Sequence, residues 1–247
     1  MGPIESSLLH QIGEKGCIHL ALIDPEKFDH NLPSILRELE ANGTAAVMIG
    51  GSTIRSTSQL DNTVKMVKRS STLPTILFPN GPVGISRFAH AIFFMSLLNS
   101  SSPEYLIEAQ VLGAPAVKRF NLEAIPLGYL VVGRARTAVS SVGRARTIPF
   151  SKPEMAANYA LAAQYLGMRW VYLEAGSGAQ KEVDPTMVAK VSTTVDVPVI
   201  VGGGIRTASQ AKKLAKAGAA AIVTGTILEH EDMTKIREIV EAINVHD

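Results

Sequence analysis

PVIVGGGIRTASQAKKLAKAGAAAIVTGT, residues 198–226, decides the fold. An apolar run at 198–201 stops at Gly202-Gly203-Gly204-Ile205-Arg206. A stretch at 207–217 follows, with Ala211, Leu214 and Ala215 on one stripe, the period of an amphipathic helix. A second apolar run at 220–223 stops at Thr224-Gly225-Thr226. Strand, glycine turn, helix and strand make one βαβ unit of a parallel sheet.

Outward from this unit the alternation repeats. Strands are expected at 17–23, 45–49, 74–78, 91–97, 128–132 and 169–173, which with the two above makes eight. Helical patterns fall at 31–42 and 56–70. Short runs buried on both faces fit parallel strands, and eight favour closure into a (β/α)8 TIM barrel over an open sheet. A chain of 247 residues suits one such barrel as a single domain, 1–247, and no Ser/Pro/Gly-rich linker divides it.

One connection departs from the repeat. Residues 79–90, PNGPVGISRFAH, contain Pro79, Gly81, Pro82 and Gly84, so no regular helix is expected between strands three and four. Two readings stay open: a barrel wall with an extended connector, or an apolar groove running from the barrel mouth past Phe88, Phe93, Phe94 and Met95.

Composition excludes several classes. A formal net charge of +2 is too small an excess to argue for nucleic acid. No apolar run reaches the ~18 residues of a membrane span, and residues 1–16 lack a signal-peptide pattern. The six histidines show no metal-ligand spacing, and the lone Cys17 reads as a buried small hydrophobe in a reducing, cytoplasmic setting.

Chemistry in such barrels sits where strands end. Strand one ends at Asp24, which could hold Mg2+ through oxygen or cap the next helix. Strand two ends in Gly50-Gly51-Ser52-Thr53, where glycines admit a ligand or the hydroxyls cap a helix. Strand six ends in Tyr172-Leu173-Glu174-Ala175-Gly176-Ser177-Gly178, with Glu174 placed as a base or hydroxyl-binding carboxylate. The two glycine turns after strands seven and eight offer backbone N–H groups and a helix N-terminus, the makings of a phosphate site. The basic loop 133–147 carries Arg134, Arg136, Arg144 and Arg146, either solvated or facing a phosphate.

Together LIDPEK (22–27), IGGST (49–53), AIFFMSLLNS (91–100), YLEAGSG (172–178), VGGGIR (201–206) and TGT (224–226) resemble the geranylgeranylglyceryl phosphate synthase family nearly end to end. AIFFMSLLNS and YLEAGSG discriminate, because GGGIR and TGT recur in many phosphate-binding barrels. The resemblance implies an Mg2+-dependent prenyltransferase of archaeal-type ether phospholipid biosynthesis. It would join the C3 hydroxyl of sn-glycerol 1-phosphate to geranylgeranyl diphosphate and release pyrophosphate. It implies Asp24 and Ser52 at Mg2+. It also implies Tyr172, Leu173, Glu174, Ala175, Gly176, Ser177, Gly178, Gly203, Gly204, Gly225 and Thr226 around glycerol 1-phosphate. Glu174 would be catalytic, and product release would involve transient contact with a membrane surface.

The sequence departs from the family's pattern at Leu22, where one branch has lysine. It departs again at 133–136, where many relatives have an acidic-proline-glycine turn. In some members of the family it resembles, an aromatic residue in that loop supports larger assemblies; none stands between Arg134 and Ile148, so a homodimer is expected. The competing readings are a sugar-phosphate isomerase or synthase barrel and a non-catalytic phosphometabolite-binding barrel.

Overall fold

The computed structural model describes residues 1–27, 31–51, 54, 56–133, 137–230 and 232–244. Eight parallel strands close into a barrel in sequence order. They are β1 (Ile18–Ile23), β2 (Ala46–Ile49), β3 (Thr75–Leu77), β4 (Ala91–Leu97), β5 (Glu123–Val131), β6 (Trp170–Glu174), β7 (Val199–Gly202) and β8 (Ala221–Thr224). β8 pairs back onto β1, with Ile18 opposite Ala221. The helices are α1 (Pro3–Lys15), α2 (Leu32–Ala41), α3 (Thr57–Ser70), α4 (Ala109–Arg119), α5 (Ala138–Val142), α6 (Pro153–Tyr165), α7 (Pro185–Ser192), α8 (Ala208–Lys216), α9 (Thr226–Glu229) and α10 (Met233–Ile243).

Side-chain alternation builds two cores. Ile18, Leu20, Met48, Phe93, Leu127 and Trp170 fill the barrel interior. Ala21, Val47, Val171, Val201 and Ile222 face outward against the helices. α8 lays Ala211, Leu214 and Ala215 into that outer layer, and Thr207 caps it in a capping box with Gln210. Near the C-terminal ends Phe78, Tyr129 and Tyr172 meet, with ring centroids 5.5 Å (Phe78–Tyr129), 5.5 Å (Phe78–Tyr172) and 5.1 Å (Tyr129–Tyr172) apart. These rings floor the mouth of the barrel.

Between β3 and β4 only a 3-10 turn, Pro82–Gly84, interrupts the connector. The helix ring is open there, as the prolines and glycines require. A π-helical turn at Glu104–Glu108 leads into α4 on the other side of the opening.

Two elements were not legible. β5 begins at Glu123 rather than 128; Pro126 sits inside it opposite Phe94, lacking an N–H but accepting from Arg169 N at 3.1 Å. α1 was not expected at all. Its Leu8 enters the interior core, and Glu123 caps its first turn, accepting from the N–H groups of Ile4 at 2.8 Å and Glu5 at 2.9 Å. Glu5, fully buried, pairs with Arg169 at 2.7 Å and accepts from Trp170 Nε1 at 3.0 Å. α1 thus closes the end of the barrel opposite the strand C-termini.

Candidate functional site

Two cavities open at the C-terminal face. The smaller, about 50 Å3, is lined by the turns after β6, β7 and β8: Tyr172, Glu174, Ser177, Gly178, Gly203, Gly204, Arg206, Gly225 and Thr226 are among its walls. Gly203 and Gly204 have φ of 85° and 73°, a region that L side chains rarely adopt. A side chain on Gly203 would also collide with the Glu174 carboxylate. The turn is therefore all backbone, and α9 begins at Thr226, on the wall of the cup.

Leu173 and Ala175 do not line this cup. Both point into the outer core, and the Ala175 N–H is taken by the Gly202 carbonyl at 3.0 Å. Strand alternation explains this: Tyr172 and Glu174 face in, so their neighbours face out. Gly176 contributes its N–H, donated to Glu174 Oε1 at 2.5 Å.

The larger cavity, about 390 Å3, starts at Leu22, Asp24, Gly50 and Gly51 and runs out through the opening between β3 and β4. Phe78, Pro82, Ile85, Phe94 and Met95 wall one side, and Tyr105, Ala109 and Gly113 the other. The groove reading of the 79–90 connector holds for Phe93, Phe94 and Met95, whereas Phe88 is not among the walls and packs against the outer core. Val139, Val142 and Gly143 show that the 133–147 loop lends apolar surface to the cavity. Arg144 and Arg146 stand exposed and line neither cavity; Arg134 and Arg136 lie outside the described residues.

Leu22, Glu174, Ser177 and Gly225 border both cavities, so Glu174 stands at their junction. Burial raises its carboxyl above 4.5; the Gly176 N–H, which donates to it, and the neighbouring hydroxyls of Tyr172 and Tyr129 pull the other way. Burial first, and then the Glu174 charge, hold both tyrosines well above 10, so they stay protonated donors. Tyr129 and Arg206 are site residues that sequence reasoning missed. For Tyr129 the signal was present: it sits on the inward parity of β5 near its end.

Asp24 is half-buried at the mouth of the larger cavity. Burial raises its pKa, with the charges of Glu26 and Glu229 adding, while the Glu26 N–H and Lys27 oppose. The backbone of Gly51 lies against this carboxylate, close enough that a Cβ would strike it. Gly51 is thus explained by Asp24 rather than by ligand approach alone. Among the described residues no group of three or more His, Cys, Asp or Glu could cage a metal. Mg2+ often takes only one or two carboxylates together with substrate phosphates, and a single acid in a negative mouth suits that mode. Ser52 lies outside the described residues.

Cys17 is buried, with its thiol pushed up to about 12 by burial, as an inert core residue would be. No helix among the described residues is long and apolar enough to cross a membrane.

The chain matches the PcrB family over residues 10–243. It is 51% identical over 230 residues to the geranylgeranylglyceryl phosphate synthase of Pyrococcus abyssi, covering 93% of this chain and 91% of that one. It is 53% identical over 231 residues to the enzyme of the same name from Methanopyrus kandleri, covering 93% and 95%. The crystal structure of (S)-3-O-geranylgeranylglyceryl phosphate synthase from Thermoplasma acidophilum with sn-glycerol-1-phosphate superposes with a TM-score of 0.93 at 42% identity, covering 99% of both chains. A tryptophan synthase chain from Mycobacterium tuberculosis, 13% identical with a TM-score of 0.64, shares the fold alone.

Proposed function

The chain belongs to the PcrB family, and on that footing we propose that it is a geranylgeranylglyceryl phosphate synthase. It joins the C3 hydroxyl of sn-glycerol 1-phosphate to geranylgeranyl diphosphate in archaeal-type ether lipid synthesis. The observation that carries this reading is the meeting of two unlike cavities at Glu174: a small cup of backbone turns and a long apolar groove. A phosphorylated triol fits the first and an isoprenoid tail the second. Burying each CH2 of that tail contributes about 0.8 kcal/mol.

The chain's own groups then divide the work. The cup anchors the phosphate and brings the C3 hydroxyl to the junction. Glu174 accepts a hydrogen bond from that hydroxyl and takes its proton as the oxygen attacks the allylic carbon. The carbon–oxygen bond to the diphosphate breaks, and its electron pair leaves with pyrophosphate. Tyr129 and Tyr172 orient Glu174 by donating to it. Asp24 would hold Mg2+, which when bound offsets the charge of the diphosphate.

Incubation with sn-glycerol 1-phosphate, Mg2+ and prenyl diphosphates of several lengths tests this directly. A product with the mass of the prenylglyceryl phosphate ether, formed with one pyrophosphate per turnover, is expected. No ether with any donor, alongside isomerisation of a sugar phosphate, would favour the isomerase reading. Asp24→Asn should remove most activity with the fold intact; near-wild-type kcat at saturating Mg2+ would take Asp24 out of the metal role.

A further inference from the structure

The cup as described carries a charge conflict. Glu174, buried, forms one of its walls. A phosphate monoester brings a charge of about −1.5 to −2 at neutral pH. Two anions this close repel strongly where water is scarce. The N–H groups of the glycine turns and the first turn of α9 supply only partial positive charge.

One cationic side chain lines the cup among the described residues, and it is Arg206. Among those residues its guanidinium enters no ion pair and makes one long hydrogen bond, from Nη2 to the Gly178 carbonyl at 3.4 Å. The cation beside the larger cavity, Lys27, is already paired with Glu229 at 2.7 Å. The base of Arg206 is fixed: its N–H donates to Gln210 Oε1 at 2.8 Å, and Gln210 Nε2 donates to Glu182 at 2.7 Å. A pinned stem thus carries a half-buried cation, without an ion-pair partner among the described residues, at the edge of an anion-sized cup.

We propose that Arg206 is a ligand of the substrate phosphate and sets the cup's preference for a phosphomonoester dianion. The proposal rests on the cup being the glycerol phosphate site. A guanidinium has five donors in a planar fork, so it can keep the Gly178 carbonyl and still offer two parallel N–H groups to phosphate oxygens. In doing so it draws the turn after β6 and the turn after β7 around one ligand.

The test is calorimetric binding of inorganic phosphate to the wild type, R206Q and R206K at one ionic strength, with KM for both substrates alongside. R206Q should weaken inorganic phosphate about 10-fold or more and raise the KM for glycerol 1-phosphate in step, as loss of a charge-assisted hydrogen bond implies. The KM for the prenyl donor should not move. R206K should recover part of the loss, because an ammonium restores charge but not the fork. Inorganic phosphate bound equally tightly by R206Q and wild type overturns the role. So does a lowered Tm with a loss shared by both substrates and an unchanged phosphate Kd, the mark of a loop support. A wild type that binds no phosphate at millimolar concentration overturns it too. If phosphate binding depends on Arg206 while no prenyl donor reacts, the inference stands and the prenyltransferase reading fails.

Discussion

Burial raises the Glu174 carboxyl above 4.5, and that has consequences for both stability and turnover. A raised carboxyl binds its proton more tightly folded than unfolded. Stability is therefore full at low pH and falls as pH rises through the raised value. Glu174→Gln removes that titration. It should cut kcat by about 10²–10⁴-fold, the usual cost of one positioned acid–base group. Its Tm relative to the wild type should climb between acid and neutral pH. A loss under tenfold would leave Glu174 a minor binding role, and a Tm gap independent of pH would contradict the buried-carboxylate picture. Glu174 and Asp24 were legible because an apolar strand that stops at an acid aims it at the barrel mouth. Leu173 and Ala175 show the limit of a motif: the stretch is contiguous, but a strand sends alternate side chains to opposite sides. Arg206 was in view within GGGIR, yet its lack of an ion-pair partner among the described residues is a property of neighbours brought from other turns.

His19 shows what strand packing does to a residue the sequence left without a role. It faces the outer layer of β1, fully buried, between Thr44 Oγ1 at 2.9 Å and Thr224 Oγ1 at 2.8 Å. Burial lowers its pKa from 6.5 to about 4. The folded state then binds fewer protons than the unfolded chain below 6.5, so stability is full above 6.5 and falls as pH drops towards 4. At about 1.4 kcal/mol per pH unit the loss reaches about 3 kcal/mol by pH 4. Chemical denaturation across that range should show the slope in the wild type, and His19→Gln should flatten it; parallel pH profiles would contradict a neutral buried His19. The elements themselves were readable wherever apolar periodicity was unbroken, as in β4 and α8. β5 and α1 escaped for a shared reason. Glu123 and Glu5 look like surface charges in a linear chain, and only the capping of α1 by Glu123 and the contacts of Glu5 with Arg169 and Trp170 make them structural.

At the scale of the whole barrel, the missing helix after β3 turns a filled core into an enzyme with a long lateral groove. Side-chain layers fill the barrel inside, so on the proposed function a long tail would leave by the opening between the 79–90 connector and α4. The prolines and glycines of that connector made the opening legible; the far wall was not, because Tyr105, Ala109 and Gly113 come from a helix whose packing the sequence does not announce. A bulky residue at a small position on that wall should shorten the preferred donor. Ala109→Phe should lower turnover with the longest prenyl diphosphate, spare shorter ones and leave the KM for glycerol 1-phosphate unchanged. Equal effects on every donor would move the tail elsewhere. The most direct measurement is a crystal structure of the chain with sn-glycerol 1-phosphate and an unreactive prenyl thiodiphosphate. It should place the phosphate between the Gly203-Gly204 turn and Gly225-Thr226, the C3 hydroxyl on Glu174, and the tail along α4. A phosphate outside that cup, or a tail leaving by another flank, would contradict the assignment of the two cavities.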